Sequence, residues 1–159
     1  MGWKVQGLFV EGVVDPADLP EQPSDGRELI EFDEVFRQLR GYGVSTVGGW
    51  TCIADPQFRV AFDDEAVRSL SRTGRALAWV TNSVSTVHGF AWYIDGVPVR
   101  RIVHAEGAVV DEYGPPLPEE VSAPGPFDED HVFEMMARLA GLRWGEIADA
   151  PHGIWRCAG

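Results

Sequence analysis

Positive charge is scarce in this sequence. Lys4 is the single lysine among 13 basic residues, which face 25 acidic residues, and the formal net charge is −12. Proteins that bind nucleic acids or anionic membranes do so largely through clusters of Lys and Arg. The charge balance therefore argues against both as partners and favours a partner protein that is itself basic.

Cysteine and long apolar runs are scarce as well. The two cysteines, Cys52 and Cys157, lie far apart in the sequence, which predicts reduced thiols and no disulfide framework. No apolar stretch is long enough to cross a bilayer, and residues 3–8 have the composition of a strand, unlike a signal peptide. We predict one cytoplasmic domain over residues 1–159, large enough to bury a core unaided.

The motifs of common active sites are also missing. Gly41-x-Gly43 and the pair Gly48-Gly49 lack the Gly-Lys-Ser that a phosphate-binding loop needs, and we interpret them as turn and bulge glycines. No serine lies in a Gly-x-Ser-x-Gly motif. We therefore predict no catalytic residue, no cofactor and no bound metal, with an enzyme the less favoured class.

The histidines allow one geometric test of a metal site. A two-residue turn at Asp95-Gly96 would place His88 opposite Val103 and His104 opposite Val87, so that the two imidazoles lie on different faces of the sheet. A three-residue loop would instead set His88 opposite His104. Glu134, at i+3, is the one candidate metal-binding partner of His131, and Cys157 follows His152 at a spacing that fits no zinc site. We interpret His131 as a solvated helix residue and His152 as part of a frayed tail.

The apolar pattern predicts an α+β domain. A β-meander runs through residues 76–81, 87–94 and 97–105, with Asp95-Gly96 as its strongest turn signal; further strands are expected over residues 3–14 and 44–54, and a short one over 108–113. Helical spacing is found at residues 32–39, 63–73 and 128–140. We expect a mostly antiparallel sheet of about five strands with two to three helices packed on it.

Acidic residues concentrate in two places, each next to a proline-rich loop that we expect to be flexible, near residues 15–27 and 114–127. Residues 11–34 hold nine carboxylates with Arg27 as the one basic residue, and residues 106–134 hold nine with no Lys or Arg. Solvated loops are the simplest interpretation of such runs. The alternative is a surface whose potential accelerates the encounter with a basic partner.

The second acidic run also carries aromatic side chains, and aromatic residues ringed by charge are typical of protein-binding surfaces. The expected partner-binding residues are Asp111, Glu112, Tyr113, Glu119, Glu120 and Phe127. The leading hypothesis is a protein-binding module, such as an immunity or antitoxin-type protein that masks a basic effector. Two alternatives stay open: a ligand pocket or active site lined by Trp79, Trp92 and His88 or His104, and a homo-oligomer that buries Trp144 or Trp155.

Short motifs give the chain a family resemblance. Gly48-Gly49-Trp50-Thr51, then the segment Leu70-Ser71-Arg72-Thr73-Gly74, then an aromatic strand leading into Asp95-Gly96, resemble an uncharacterised actinobacterial domain family. The resemblance covers residues 44–140 and implies a compact α+β domain without any assigned activity. The chain departs from that pattern in having Thr73-Gly74 where the family has Gly-Thr, and in its longer acidic N-terminal segment.

Overall fold

The computed structural model describes residues 3–38, 40–123 and 125–158. In these ranges the chain forms a nine-stranded sheet whose order across the sheet is β2-β9-β3-β4-β1-β5-β6-β7-β8. All neighbouring strands pair antiparallel. The strands are β1 (Lys4–Glu11), β2 (Ser24–Ile30), β3 (Gly41–Val47), β4 (Trp50–Ala54), β5 (Arg75–Asn82), β6 (Val87–Ile94), β7 (Val97–Ala105), β8 (Ala108–Tyr113) and β9 (His152–Arg156).

Five short α-helices accompany the sheet in the part of the chain that is described. They are α1 (Phe32–Gln38), α2 (Asp64–Leu70), α3 (Pro118–Val121), α4 (Glu129–Met135) and α5 (Trp144–Asp149). A single 3-10 turn spans Pro16–Asp18, and α4 continues into a π-helical turn at Met136–Ala140. Among these helices, none combines the length and the apolar character that crossing a membrane requires.

The predicted element count is wrong, since the described ranges contain nine strands rather than five and five helices rather than two to three. One cause is the pair Gly48-Gly49, which we interpreted as a bulge inside one strand. Both glycines have left-handed φ angles, +56° and +81°, and Val47 pairs with Trp50. They therefore form a tight hairpin turn that divides the segment into β3 and β4.

Two further strands, β2 and β9, lie where the sequence pattern predicts a loop and a tail. β2 begins inside the expected loop over residues 15–27, and its sequence is too polar to show an alternating pattern because it lies at the edge of the sheet with nearly every residue exposed. β9 lies in the expected tail, where Ile154 and Trp155 are buried between β2 and β3. Their burial depends on partners distant in sequence, which local patterns do not show.

The sheet separates two apolar layers. One layer, which we call the helix-covered face, lies under α1, α4 and α5 and includes Phe9, Trp79 and Phe90 from the central strands. Of the apolar positions predicted for α1, Phe32 and Val35 are buried there, while Leu39 lies outside the described residues. The opposite face carries Leu8, Ile53 and Tyr93 and is covered by α2 and the segment after β1.

A buried carboxylate organises the chain between β4 and α2. Asp55 has no exposed surface and accepts hydrogen bonds from the backbone N–H groups of Arg59, Val60 and Ala61, at 2.7 to 2.9 Å. Burial raises the pKa of Asp55, and these three donors oppose that rise. These hydrogen bonds give the buried carboxylate its donors. They also give the backbone N–H groups of the loop an acceptor that they would otherwise lack.

The β6–β7 hairpin contains a bulge that changes its register. Next to the turn, Ile94 pairs with Val97 and Tyr93 with Pro98, as a two-residue turn at Asp95-Gly96 predicts. The next pair is Trp92 with Arg100, which leaves Val99 as an extra residue. A one-residue shift moves every later side chain of β7 to the other face. Arg100, Ile102 and His104 consequently lie on the helix-covered face.

Candidate functional site

The expected partner-binding residues lie along one edge of the sheet. β8 is the last strand, and all six of its residues are exposed. Its large apolar side chains are accessible to solvent, with Val109 49%, Val110 62% and Tyr113 47% exposed. We call residues 106–130, which run from the turn before β8 through α3 to the first residues of α4, the acidic edge. It carries eight carboxylates and no Lys or Arg.

Arg101 of β7 engages two of the expected residues on the face opposite to the helices. Its Nε donates to Asp111 Oδ2 at 2.8 Å, and its guanidinium lies 5.8 Å from the centre of the Tyr113 ring. The carboxylate is half exposed. Asp111 and Tyr113 are thus held in place by β7 and still accessible to a partner.

Arg100 engages two further expected residues on the helix-covered face. Its side chain is 2% exposed, and its Nε and Nη2 donate to the two oxygens of Glu120 at 2.9 and 3.0 Å. Nη1 donates to Glu112 Oε2 at 2.8 Å and to the Gly114 carbonyl at 2.7 Å. A two-pronged contact of this kind fixes geometry as well as charge. Arg100 therefore ties β7, β8 and α3 together.

Arg100 has no signal in the sequence that would have identified it. It is adjacent to Arg101, and two neighbouring arginines on a strand look alike until the face of each is known. Glu120 also accepts from the backbone N–H of Leu117 at 2.7 Å, which closes the first turn of α3. Glu112 and Glu120 are consequently structural partners of a buried cation as well as part of the acidic edge.

Glu119 has a half-buried side chain that forms no ion pair within the described ranges. The backbone carbonyl of Glu119 accepts a hydrogen bond from Arg138 Nη1 at 3.1 Å. Arg138 Nη1 also donates a hydrogen bond to Ser122 Oγ at 2.7 Å. Arg138 is in turn paired with Glu134 at 2.7 Å. These contacts hold α3 against the end of α4.

Phe127 is half buried in a stack of aromatic rings. Its ring centre lies 4.0 Å from that of His104, with the planes 2° from parallel, and 4.4 Å from that of His131. Phe90 of β6 lies below it at 6.4 Å. Phe127 therefore fastens the connection between α3 and α4 onto the sheet, and little of its ring is available to a partner.

Of the two arrangements considered for His88 and His104, the structure has the one in which they lie directly opposite each other, because the bulge at Val99 shifts the register after the two-residue turn. His88 is buried, and its Nδ1 lies 2.8 Å from Thr81 Oγ1. Both ring nitrogens of His131 are buried without a hydrogen-bond partner among the described residues. Across the described part of the chain, no three His, Cys, Asp or Glu side chains come together as a metal site would require.

Burial lowers the pKa of His104, because desolvation penalises the imidazolium. Glu112 opposes this effect, and the neighbouring His88 adds to it. Burial likewise lowers the pKa of His131. At His131, Glu120 and Asp128 oppose the effect, while His104 and Arg138 reinforce it. Both imidazoles of the stack are therefore poorer bases than a free histidine.

Three polar side chains lie next to one another in the core: His152 of β9, Ser45 of β3 and Cys52 of β4. His152 has no exposed surface, and its Nδ1 lies 2.8 Å from the Ala150 carbonyl, which can only accept, so Nδ1 carries the proton. Burial lowers the pKa of this imidazole, and its free Nε2 accepts from Ser45 Oγ at 3.3 Å. Ser45 pairs with Cys52, whose thiol pKa burial raises to about 12. This arrangement leaves the thiol protonated and His152 a core residue, contrary to the expected tail.

The residues of the alternative hypotheses also have definite positions. Trp79, Trp92 and His88 are buried in the layer under the helices. Trp155 is buried too, and Trp144 packs among the rings of Trp3, Phe32, Trp79 and Phe133 at 4.7 to 5.4 Å. A cleft of about 610 Å³ lies elsewhere, between residues 17–22 and α2.

A known protein family matches most of this chain. A family model described as a family of unknown function, DUF6461, matches residues 24–142. The chain belongs to this family. The DUF6461 match contains the segment 44–140 on which the resemblance was based, and it includes both the bulged hairpin and the acidic edge. Comparison with curated proteins and with solved structures gives no match.

Proposed function

We propose that this protein is a small cytoplasmic module that binds a basic partner protein through its acidic edge. An immunity or antitoxin-type role, in which the module masks a basic effector, is the most concrete form of this function. We also propose that the DUF6461 family is actinobacterial and that the Gly-Trp-Thr and Leu-Ser-Arg motifs mark it.

The observation that carries the proposal is the composition of the acidic edge. Residues 106–130 combine eight carboxylates, no Lys or Arg, and three exposed large side chains on one terminal strand. Negative potential accelerates the encounter with a cationic protein, and the exposed Val109, Val110 and Tyr113 supply apolar area for the docked complex. Arg100 and Arg101 reach this surface from β7 behind it, and Arg138 reaches it from the end of α4.

The proposal is tested on the association rate. The partner is captured by cross-linking in the source organism and purified, and its association with the wild type is compared with that of the double variant Glu106→Lys/Asp130→Lys. Both residues are exposed and form no ion pair in the part of the chain that is described, so the fold is expected to persist. We expect the rate constant to fall about tenfold and its salt dependence to weaken.

A double variant with the same change in net charge is the matched control. Asp18→Lys/Glu28→Lys alters two exposed carboxylates outside the acidic edge, and a much smaller loss of rate is expected. Equal losses in both variants would attribute the attraction to net charge alone. An association rate constant that changes neither with salt concentration nor in either double variant would contradict the proposal. The absence of any basic partner would contradict it as well.

A further inference from the structure

We propose that β8 receives an extended, Lys- or Arg-bearing segment of the partner as a tenth strand of the sheet. This inference rests on the proposed function and names the way in which the partner is held. In such strand addition, backbone hydrogen bonds supply affinity and alternate side chains supply specificity.

The outer edge of β8 has hydrogen-bonding groups to offer. β7 pairs with one side of the strand, over Arg101 to Ala105. Within the described ranges, no turn, loop or helix forms a backbone hydrogen bond to residues 108–113. A terminal strand in this condition presents a row of N–H and C=O groups that another strand can use.

The strand is also held in a conformation ready for pairing. Asp111 is bonded to Arg101, and Glu112 and the Gly114 carbonyl are bonded to the buried Arg100. Because these contacts all come from β7 and leave the outer edge open, β8 is ordered before a partner arrives. Because β8 is already ordered, less conformational entropy is lost when a partner binds to it.

The opposite edge of the sheet lacks these properties. In β2, residues 26–28 stand opposite Ile154 alone, between the pairs Asp25 with Trp155 and Leu29 with Gly153. β8 has a smaller irregularity, in which Val110 is a single extra residue between the pairs Val103 with Asp111 and His104 with Val109. The larger irregularity of β2 interrupts its ladder over three residues and twists the strand, which is a common protection of sheet edges against further pairing. Strand addition is therefore expected at β8 and not at β2.

The side chains of β8 indicate the sequence of the added strand. Val109 and Glu112 pair with His104 and Ile102 on the helix-covered face, whereas Asp111 and Tyr113 lie on the other. Each face thus offers one apolar or aromatic group and one carboxylate. A segment that repeats two apolar residues and two Lys or Arg places both kinds of side chain on each face and therefore complements both faces. A second copy of this chain would bring acidic strands together, each from a molecule of net charge −12.

The test uses three synthetic octapeptides and fluorescence anisotropy. The first repeats Lys-Lys-Val-Val and is called the Lys-Val peptide, the second is the same peptide with every other amide N-methylated, and the third, the Glu-Val peptide, repeats Glu-Glu-Val-Val. We expect the Lys-Val peptide to bind, N-methylation to weaken binding by roughly tenfold or more, and the Glu-Val peptide not to bind. N-methylation keeps the charge and removes the backbone donors, so it separates strand pairing from electrostatic attraction.

Two variants locate the binding. Val110→Lys places a cation on the exposed edge and should weaken binding of the Lys-Val peptide by roughly tenfold. Leu29→Lys makes the same kind of change on β2, where Leu29 is 65% exposed, and should leave binding unchanged. Both positions are on the surface, so thermal unfolding should show little loss of stability in either variant.

Each other outcome overturns the inference in a distinguishable way. Equal binding of the Lys-Val peptide and its N-methylated form would overturn strand addition and leave the acidic edge as the binding surface. Failure of both basic peptides would overturn strand addition alone, provided that the association experiment with the partner succeeds. Binding of the Glu-Val peptide would overturn both proposals. A wild-type dimer that Val110→Lys dissociates would assign β8 to a second copy.

Discussion

Arg100 and Arg101 are neighbours in the sequence, yet they lie in different surroundings. Arg100 is buried, and its partner Glu120 is only 10% exposed, whereas Arg101 and Asp111 meet at the surface. We predict that Arg100→Ala lowers the free energy of unfolding by about 3–5 kcal/mol, because it leaves a buried carboxylate without its cation. Arg101→Ala, the matched control, should cost about 0–1 kcal/mol. Urea denaturation measures both, and equal losses would contradict this view of Arg100.

The stability of the loop after β4 should depend on the two acceptor oxygens of Asp55. Asp55→Asn keeps the shape of the side chain but turns an amide donor toward backbone N–H groups that need an acceptor. The variant should lose about 1–3 kcal/mol of unfolding free energy, the cost of a buried donor without a partner. Asp18→Asn changes an exposed carboxylate and should stay within about 0.5 kcal/mol of the wild type. A neutral result at position 55 would show that the loop adapts to the amide.

At this scale, the sequence predicted the acids of the candidate site but not their partners. Asp111, Glu112 and Glu120 were recognisable as members of an acidic run. Their pairing with Arg101 and Arg100 depends on which face of β7 each arginine occupies, and the bulge at Val99 decides that. The reversal of Glu112 or Glu120 to Lys, which the acidic run alone suggests as a test, would place a cation beside the buried Arg100 and disturb the fold.

At the scale of elements, the stack of His104, Phe127 and His131 makes stability depend on pH. Burial lowers the pKa of both imidazoles, and of His152, below the ordinary value of 6.5. The unfolded chain therefore binds these protons more tightly than the folded one. The stabilisation is complete above pH 6.5 and is lost as the pH falls through the lower, folded pKa values.

We accordingly expect the free energy of unfolding to fall as the pH is lowered from about 7.5 to about 5, a range in which unperturbed carboxylates stay largely ionised. His131→Phe removes one of the three imidazoles and should make this fall shallower. Chemical denaturation at several pH values measures the slope. An unchanged slope in the variant, or stability that rises on acidification, would contradict the assignment.

Local chemistry predicted some elements correctly and left others undetected. The turn at Asp95-Gly96 and the start of α4 at Asp128, whose carboxylate accepts from the N–H groups of Asp130 and His131, are confirmed because their signals lie within a few residues. Gly141, with a φ of +71°, ends the helical segment as predicted. β9 was missed because its strand character comes from pairing with β2 and β3, which lie more than a hundred residues earlier in the chain.

For the whole molecule, the excess of negative charge should oppose folding at low ionic strength. A net charge of −12 repels itself in the compact state, and dissolved salt screens that repulsion. We expect the melting temperature at neutral pH to rise as NaCl increases from about 10 to 150 mM. Asp18→Lys/Glu28→Lys, which reduces the net negative charge, should show a smaller rise. Salt-independent melting would show that the ion pairs already balance the charge locally.

Composition alone was enough to form a hypothesis about the partner, but it did not determine the architecture. The acidic balance and the missing motifs are properties of the whole chain, and they can be summed without knowing any contact. The number of strands cannot be obtained from such sums. β2 is too polar to resemble a strand, and β3 and β4 are separated only by the conformation of two glycines. The acidic edge was therefore visible in the sequence, whereas its position on a terminal strand was not.

The extra residue at Val99 has a consequence for how this fold tolerates changes in length. Deleting that one position would give a uniform ladder along the hairpin and would leave Arg100 opposite Trp92, so that Arg100, Ile102 and His104 stay on the helix-covered face. Glu120 would keep its cation and Phe127 its stacking partner. Relatives that lack one residue between Pro98 and Arg100 should consequently still keep the arginine and the histidine of this face.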